Sequence, residues 1–253
     1  RCLEKSGSDL TVITQDGAIS LSTFLPIDQV AGSAQAISTN IQNEFLASTR
    51  AYSTVFGWQS ILYPQGSYSL FNIPRTSLLA DQYVINSQTG AWCKFTGQNA
   101  ACWSLFNGDL YFGAQDGGVI YKADTGTSDN SADIDWKIRP AFSYFGSRGN
   151  QKIFSLCRPH FTTNGLLAFA IDLNLNFSNI NPTSIPTTPT LTAGIWDTSK
   201  WDEADWAEEA TFQSWTTVLG IGECASPTIR GSTNSVTLSF TAYDMIWQTG
   251  SSI

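Results

Sequence analysis

Trp58-Gln59-Ser60-Ile61-Leu62-Tyr63 runs through Pro64-Gln65-Gly66 into Tyr68-Ser69-Leu70-Phe71-Asn72-Ile73, and Gln82-Tyr83-Val84-Ile85 runs through Thr89-Gly90 into Ala91-Trp92-Cys93-Lys94-Phe95. Each arm is short and rich in aromatic and β-branched residues, and a glycine-bearing turn separates it from the next. The stretch reads as four consecutive antiparallel strands. The same signature recurs on both sides. Upstream, Leu10-Thr11-Val12-Ile13 turns at Gln15-Asp16-Gly17 into Ala18-Ile19-Ser20-Leu21, a hairpin in which Asp-Gly supplies the positive φ of a tight turn. Downstream, Ala101 to Phe106, Leu110 to Gly113 and Val119 to Ala123 are separated by Asn107-Gly108-Asp109 and Gln115-Asp116-Gly117-Gly118. Sets of short strands at this pitch, each closing on an aromatic, resemble the four-stranded blades of a β-propeller.

Composition supports an all-β chain. Only 13% of the 253 residues are charged, against about 25% in an ordinary soluble domain. Ser, Thr, Asn, Gln and Gly fill the deficit, and 13% aromatics with one Met disfavour a helical bundle. One short helix is expected between Gly32 and Tyr52, where Ile37, Ile41, Phe45 and Thr49 recur every fourth residue behind a Ser33 cap. It reads as a helix on the flank of the sheets or as a subunit contact.

After Phe142-Ser143-Tyr144-Phe145-Gly146 the character changes. Ile153 to Phe161 and Leu166 to Phe177 read as longer strands, and strands return from Ser214 to Val218 and from Val236 to Trp247. Between them Pro182, Pro186 and Pro189 lie in a Thr-rich stretch that reads as an extended surface segment. The expected organisation is a propeller-like β domain with a helical insertion at 1–146 and a β-sandwich-like domain at 147–253.

A net charge of −8 argues against sequence-neutral nucleic-acid binding, which draws its affinity from Lys and Arg at phosphates. No run approaches the roughly 20 apolar residues of a membrane helix, and Arg1-Cys2-Leu3-Glu4 is not the basic start of a signal peptide. Met245 is the only Met, and the chain enters abruptly at the strand Asp9 to Ile13. An N-terminal portion is therefore expected to have been cleaved off or to be missing. Cys2, Cys93, Cys102, Cys157 and Cys224 are scattered without a CxxC, which argues for reduced, buried thiols made in a cytosol. The single His160 reads as a strand residue with a satisfied ring.

Two constellations invite a chemical reading. Trp196-Asp197, Trp201-Asp202 and Asp205-Trp206 fall at a five-residue spacing that suits neither a helix nor a strand. Three exposed indoles could stack sugar rings, but indoles also staple a long loop onto an adjacent sheet or neighbouring subunit. Asp197, Asp202, Glu203, Asp205, Glu208 and Glu209 form one acidic cluster, and Asp129, Asn130, Asp133 and Asp135 form another. Neither specifies the facing carboxylate pair of a glycosidase nor the Gly and closing Glu of a calcium loop, so both read as solvated faces. No nucleophile elbow, P-loop or dinucleotide fingerprint is present. No catalytic, cofactor-binding or metal-ligating residue is assigned, no cofactor is expected, and a non-enzymatic protein is the expected class.

Phe56-Gly57-Trp58-Gln59-Ser60-Ile61-Leu62-Tyr63-Pro64-Gln65-Gly66, then Tyr83 to Gly97, then Leu110 to Gly113 and Val119 to Gly126 follow one another in an order that resembles the tail nozzle or hub proteins of short-tailed bacteriophages. The resemblance continues through Phe145-Gly146-Ser147-Arg148-Gly149, the Trp-Asp repeats and the Gly-rich end, and is to the C-terminal part of those proteins. It implies a structural virion component made in the host bacterial cytoplasm: a homo-oligomeric ring, commonly a hexamer, below portal and adaptor and in reach of tail fibre or tailspike. Such a ring forms the lower part of the DNA-ejection channel, where like-charged walls let a polyanion pass without sequence-specific binding. The alternative from another class is a glycan- or receptor-binding β-module using Trp196, Trp201 and Trp206. A glycosidase comes third.

Overall fold

The computed structural model describes residues 2–24, 36–165, 167–181, 210–212 and 214–250. The chain is all-β, and its small antiparallel sheets fall into two compact units that divide between Thr125 and Gly126. Among the described residues no helix is long and apolar enough to cross a membrane.

Three meander sheets build the first unit. The first holds β1 (Leu3–Ser6), β2 (Asp9–Thr14) and β3 (Gly17–Ser20). The second holds β4 (Gln59–Tyr63), β5 (Tyr68–Pro74), β6 (Ala80–Asn86) and β7 (Trp92–Phe95), each strand paired with the next. The third holds β8 (Ala100–Phe106), β9 (Asp109–Ala114) and β10 (Ile120–Lys122). The middle sheet is thus the four-stranded meander that residues 58–95 spell out, while its neighbours have three strands. β1 lies against β4 and β4 against β8, so the sheets fan out from a common line of first strands, as blades do.

Turn chemistry fixes the registers. Asn107 and Gly108 have φ of 52° and 87° between the paired Phe106 and Asp109, the two-residue hairpin turn that Asn-Gly favours. Gly17 has the positive φ expected of its Asp-Gly setting and sits just past the Gln15-Asp16 turn. It opens β3 at φ 133°, and a Cβ there would come within 2.4 Å of the Ser38 hydroxyl oxygen. That oxygen accepts the Ala18 N–H at 3.1 Å.

A single helical turn, α1 (Leu21–Phe24), follows β3, and a 3-10 turn at Ile37–Ile41 leads into α2 (Gln42–Tyr52). The four-residue periodicity from Ile37 therefore spans two helical types, and the expected Ser33 cap lies outside the described residues. Phe45 is the buried anchor, meeting Ala18 of β3 and Phe71, Ile73 and Tyr83 of the second sheet. The other face of that sheet packs Tyr63, Leu70 and Val84 on Ala100, Trp103 and Leu110 of the third.

Two facing sheets make the second unit. One holds β11 (Ile134–Ile138), β16 (Ala225–Thr233) and β13 (Ala168–Leu175), with β16 in the middle. The other is centred on β12 (Lys152–Thr163), with β17 (Leu238–Thr249) along its whole length. Its second edge is shared by β15 (Thr216–Gly222) and β14 (Ala210–Phe212). Cys157, Phe161, Phe169, Ile171, Val218 and Ile229 from both sheets form the core of this β-sandwich. β11 pairs with Ile229 to Thr233, so residues 126–146 belong to the sandwich unit and the division precedes the expected 146/147 boundary. The change of character at Phe142–Gly146 marks a connection between two sandwich strands, with Ser143 bridging to Ala225.

Both prolines in long strands sit where a neighbour is missing. Pro159 falls between Cys157, the last residue paired to β15, and Phe161, the first paired to β14. Pro227 precedes Ile229, where pairing to β11 starts. A residue without an N–H costs no ladder bond in such a gap.

Candidate functional site

Two hollows run along the first strands of the blade-like sheets. The larger, about 700 Å³, is walled by Cys2, Phe56, Trp58, Cys102 and Trp103 among others. The second, about 390 Å³, lies among Leu3, Glu4 and Lys5 of β1, Ile61 and Leu62 of β4 and Leu105 of β8. The first is lined by apolar, hydroxyl and amide groups, and the second adds the acid Glu4 and the base Lys5.

Beneath them a buried polar network stitches sheet to sheet. Gln59 mimics a strand: its amide nitrogen donates to Trp103 O at 2.8 Å, and its amide oxygen accepts the Trp103 N–H at 2.8 Å. Asn72, wholly buried, donates to Gly57 O at 2.9 Å and Ala100 O at 3.1 Å. Its Oδ1 accepts from Gln82 at 2.9 Å and from the Trp103 indole at 3.1 Å. These amides bond one another and the main chain and so fix the sheets, with only the Gln82 Oε1 lacking a partner among the network's described residues; none is a nucleophile, base or charged ligand.

Glu4 is a buried acid in the same region. Its Oε1 accepts from the Ser69 hydroxyl at 2.7 Å, and its Oε2 has no partner among the described residues. Burial pushes the carboxyl up from the ordinary Glu range, against the smaller opposing pull of the Ser69 hydrogen bond. The native state therefore holds a proton that the unfolded chain has already lost. Unfolding free energy should fall as pH rises from about 4.3, the ordinary Glu value, through the raised native value, and then level off. Denaturant titrations between pH 4 and 8 should show that slope for the native chain and its reduction in Glu4→Gln.

In the second unit the alternation of β12 puts Arg158 and His160 on the outer face, and the register sets Asp244 of β17 opposite Arg158. Asp244 Oδ2 accepts from Arg158 Nε at 3.0 Å and bonds His160 Nε2 at 2.9 Å. The guanidinium first, and the imidazole second, hold the Asp244 carboxyl below the usual carboxylate range. Arg158 also lies 4.7 Å over the Trp215 ring, so this indole face is already occupied. His160 is thus the satisfied strand residue expected from its context. The neighbouring thiol, Cys157, points into the core, where burial and Asp244 push its pKa up to about 12. The His-carboxylate pair gains no nucleophile from it.

All five cysteines are free, but only Cys157 and Cys224 are buried, whereas Cys2, Cys93 and Cys102 are exposed. The expectation of buried thiols fails at these three: Cys102 lies on the face of β8 opposite the buried Trp103, Cys93 is on the edge strand β7, and Cys2 precedes the edge strand β1. Asp129, Asn130, Asp133 and Asp135 surround an exposed turn closed by an Asp129–Ala132 bridge, with Asn234 donating to Asp133 at 3.0 Å. No group of three or more His, Cys, Asp or Glu able to hold a metal ion occurs among the described residues. Trp196, Trp201 and Trp206, with the acidic cluster from Asp197 to Glu209, lie outside the described residues.

Sequence reading missed the Gln59, Asn72 and Gln82 network. Its one available signal was amide side chains recurring inside strands that otherwise carry large apolar residues. No family model matches the chain, and no curated relative matches it.

Proposed function

We propose that the protein is a structural component of a phage tail, a nozzle or hub ring that forms part of the DNA-ejection channel below portal and adaptor. The observation that carries this reading is the order of the sequence runs that resemble such proteins. The first of those runs, up to Thr125, fall in one unit: Phe56 to Gly66 supplies β4 and its turn, Tyr83 to Gly97 supplies most of β6 and all of β7, and Leu110 to Thr125 supplies most of β9 and all of β10. Amide stitching between sheets gives that unit the stiffness a conduit needs. A net charge of −8 suits a wall past which phosphates slide.

On this reading the chain assembles into a ring, commonly of six copies, turns over no substrate, and resides in the virion next to adaptor, portal and fibre proteins. Native mass spectrometry of the purified protein, with immunogold labelling of phage particles, tests it. A discrete ring and label at the tail are expected. Monomer at every concentration together with unlabelled particles would remove the reading.

A further inference from the structure

The third and the first sheets of the first unit each carry exposed apolar side chains. On the third sheet Cys102, Ser104, Phe106, Tyr111, Gly113 and Ile120 share the face opposite Trp103 and Phe112. Phe106 is 73% and Ile120 74% exposed. Near them Gly113, having no side chain, floors an apolar hollow of about 330 Å³. On the first sheet Leu3, Lys5, Leu10 and Val12 share the face turned away from Ile13 and Ala18; this face is covered at its β3 end, where Ile19 is buried, and is open at β1, where Leu3 is 59% exposed. Exposed apolar surface of this kind on a folded sheet marks a contact.

We propose that these two faces meet between copies of the chain, the third sheet of one packing on the first sheet of the next, with Leu3 entering the hollow at Gly113. The contact continues between chains the face-to-face stacking that already buries the third sheet on the second. Charge favours a second copy as the occupant. Lys5 on the first face and Asp116 at the β9–β10 turn are both exposed, and neither has an ion-pair partner among the described residues. Head-to-tail docking brings these opposite charges together in a chain whose net charge of −8 otherwise makes copies repel. Two different surfaces meeting in this way make a heterologous interface, which generates a ring when its rotation closes. The inference rests on the ring reading and names the surface that would build it.

Sedimentation velocity across a wide concentration range, on the full chain and its variants, tests the pairing. Phe106→Glu and Ile120→Glu should each weaken self-association by about tenfold or more while leaving the melting temperature unchanged. Lys5→Asp should weaken it less, and adding Asp116→Lys to the same chain should restore it. Alkylation of Cys102 should slow as the native chain associates. If the native chain assembles and all these variants assemble equally well, the interface lies elsewhere and the ring reading survives. A monomeric chain that still labels phage tails overturns the interface alone; a monomeric chain with unlabelled particles removes both. Lowered melting of a monomeric Ile120→Glu would show the face to be covered within the chain and would also overturn the proposal.

Discussion

Asn72→Leu should lower the unfolding free energy of the first unit by about 4 to 5 kcal/mol. The substitution nearly conserves volume, so the loss is electrostatic. Gly57 O and Ala100 O lose their donor, and Gln82 and the Trp103 indole lose their acceptor. Each orphaned group costs about 1 to 3 kcal/mol in a dry interior, and shared partners make the total less than the sum. Gln59→Leu, which frees only the two main-chain groups of Trp103, should cost about half as much. Urea titrations followed by tryptophan fluorescence measure both. Equal and small effects would mean that water enters and satisfies the freed groups.

The second large effect belongs to Lys152. This side chain is wholly buried, and among the described residues its amine meets no carboxylate; instead it donates to Ser147 O at 2.5 Å, Asn150 O at 3.0 Å and Glu223 O at 2.9 Å. It ties the 147–150 loop and the β15–β16 turn to the start of β12. Lys152→Met keeps the stem and strands three carbonyls, with an expected loss of about 3 kcal/mol after relief of the ammonium's own desolvation. Thermal unfolding of the native chain and the variant gives the comparison, and hydrogen exchange should show the loss at 147–150 and 223. An unchanged melting temperature would show that the loops find other donors.

How much of this was legible in the sequence depends on which signal each element uses. The hairpins of the first unit were legible from their turn residues, as at Asn107-Gly108, and β13 of the second unit from its period-two alternation. β1 was not, because Leu3-Glu4-Lys5-Ser6 inverts the rule: Leu3 is exposed while Glu4 is buried against Ser69. β16 was obscured by Pro227 and Gly231, which sequence logic assigns to loops. The network of Gln59, Asn72 and Gln82 escaped notice because polar residues in a strand are taken to face water. Here the middle sheet is covered on both sides, so alternation no longer sorts inside from outside. The Trp-Asp segment lies outside the described residues, so the glycan alternative gains no geometry.

The proline in β12 has a consequence for how the sandwich breathes. Pro159 leaves an interruption in hydrogen bonding between the stations that receive β15 and β14. Thermal opening that starts at the three-residue β14 meets no continuous ladder on that edge along which to spread, so the two stations should exchange their amides with different protection. β17, paired along the whole opposite edge with bulges at Phe154/Leu156 and His160/Phe161, keeps β12 in place while β14 opens and closes. Pro159 acts as a firebreak: a change of length or sequence before β14 can alter that strand's docking without shifting the register of β15.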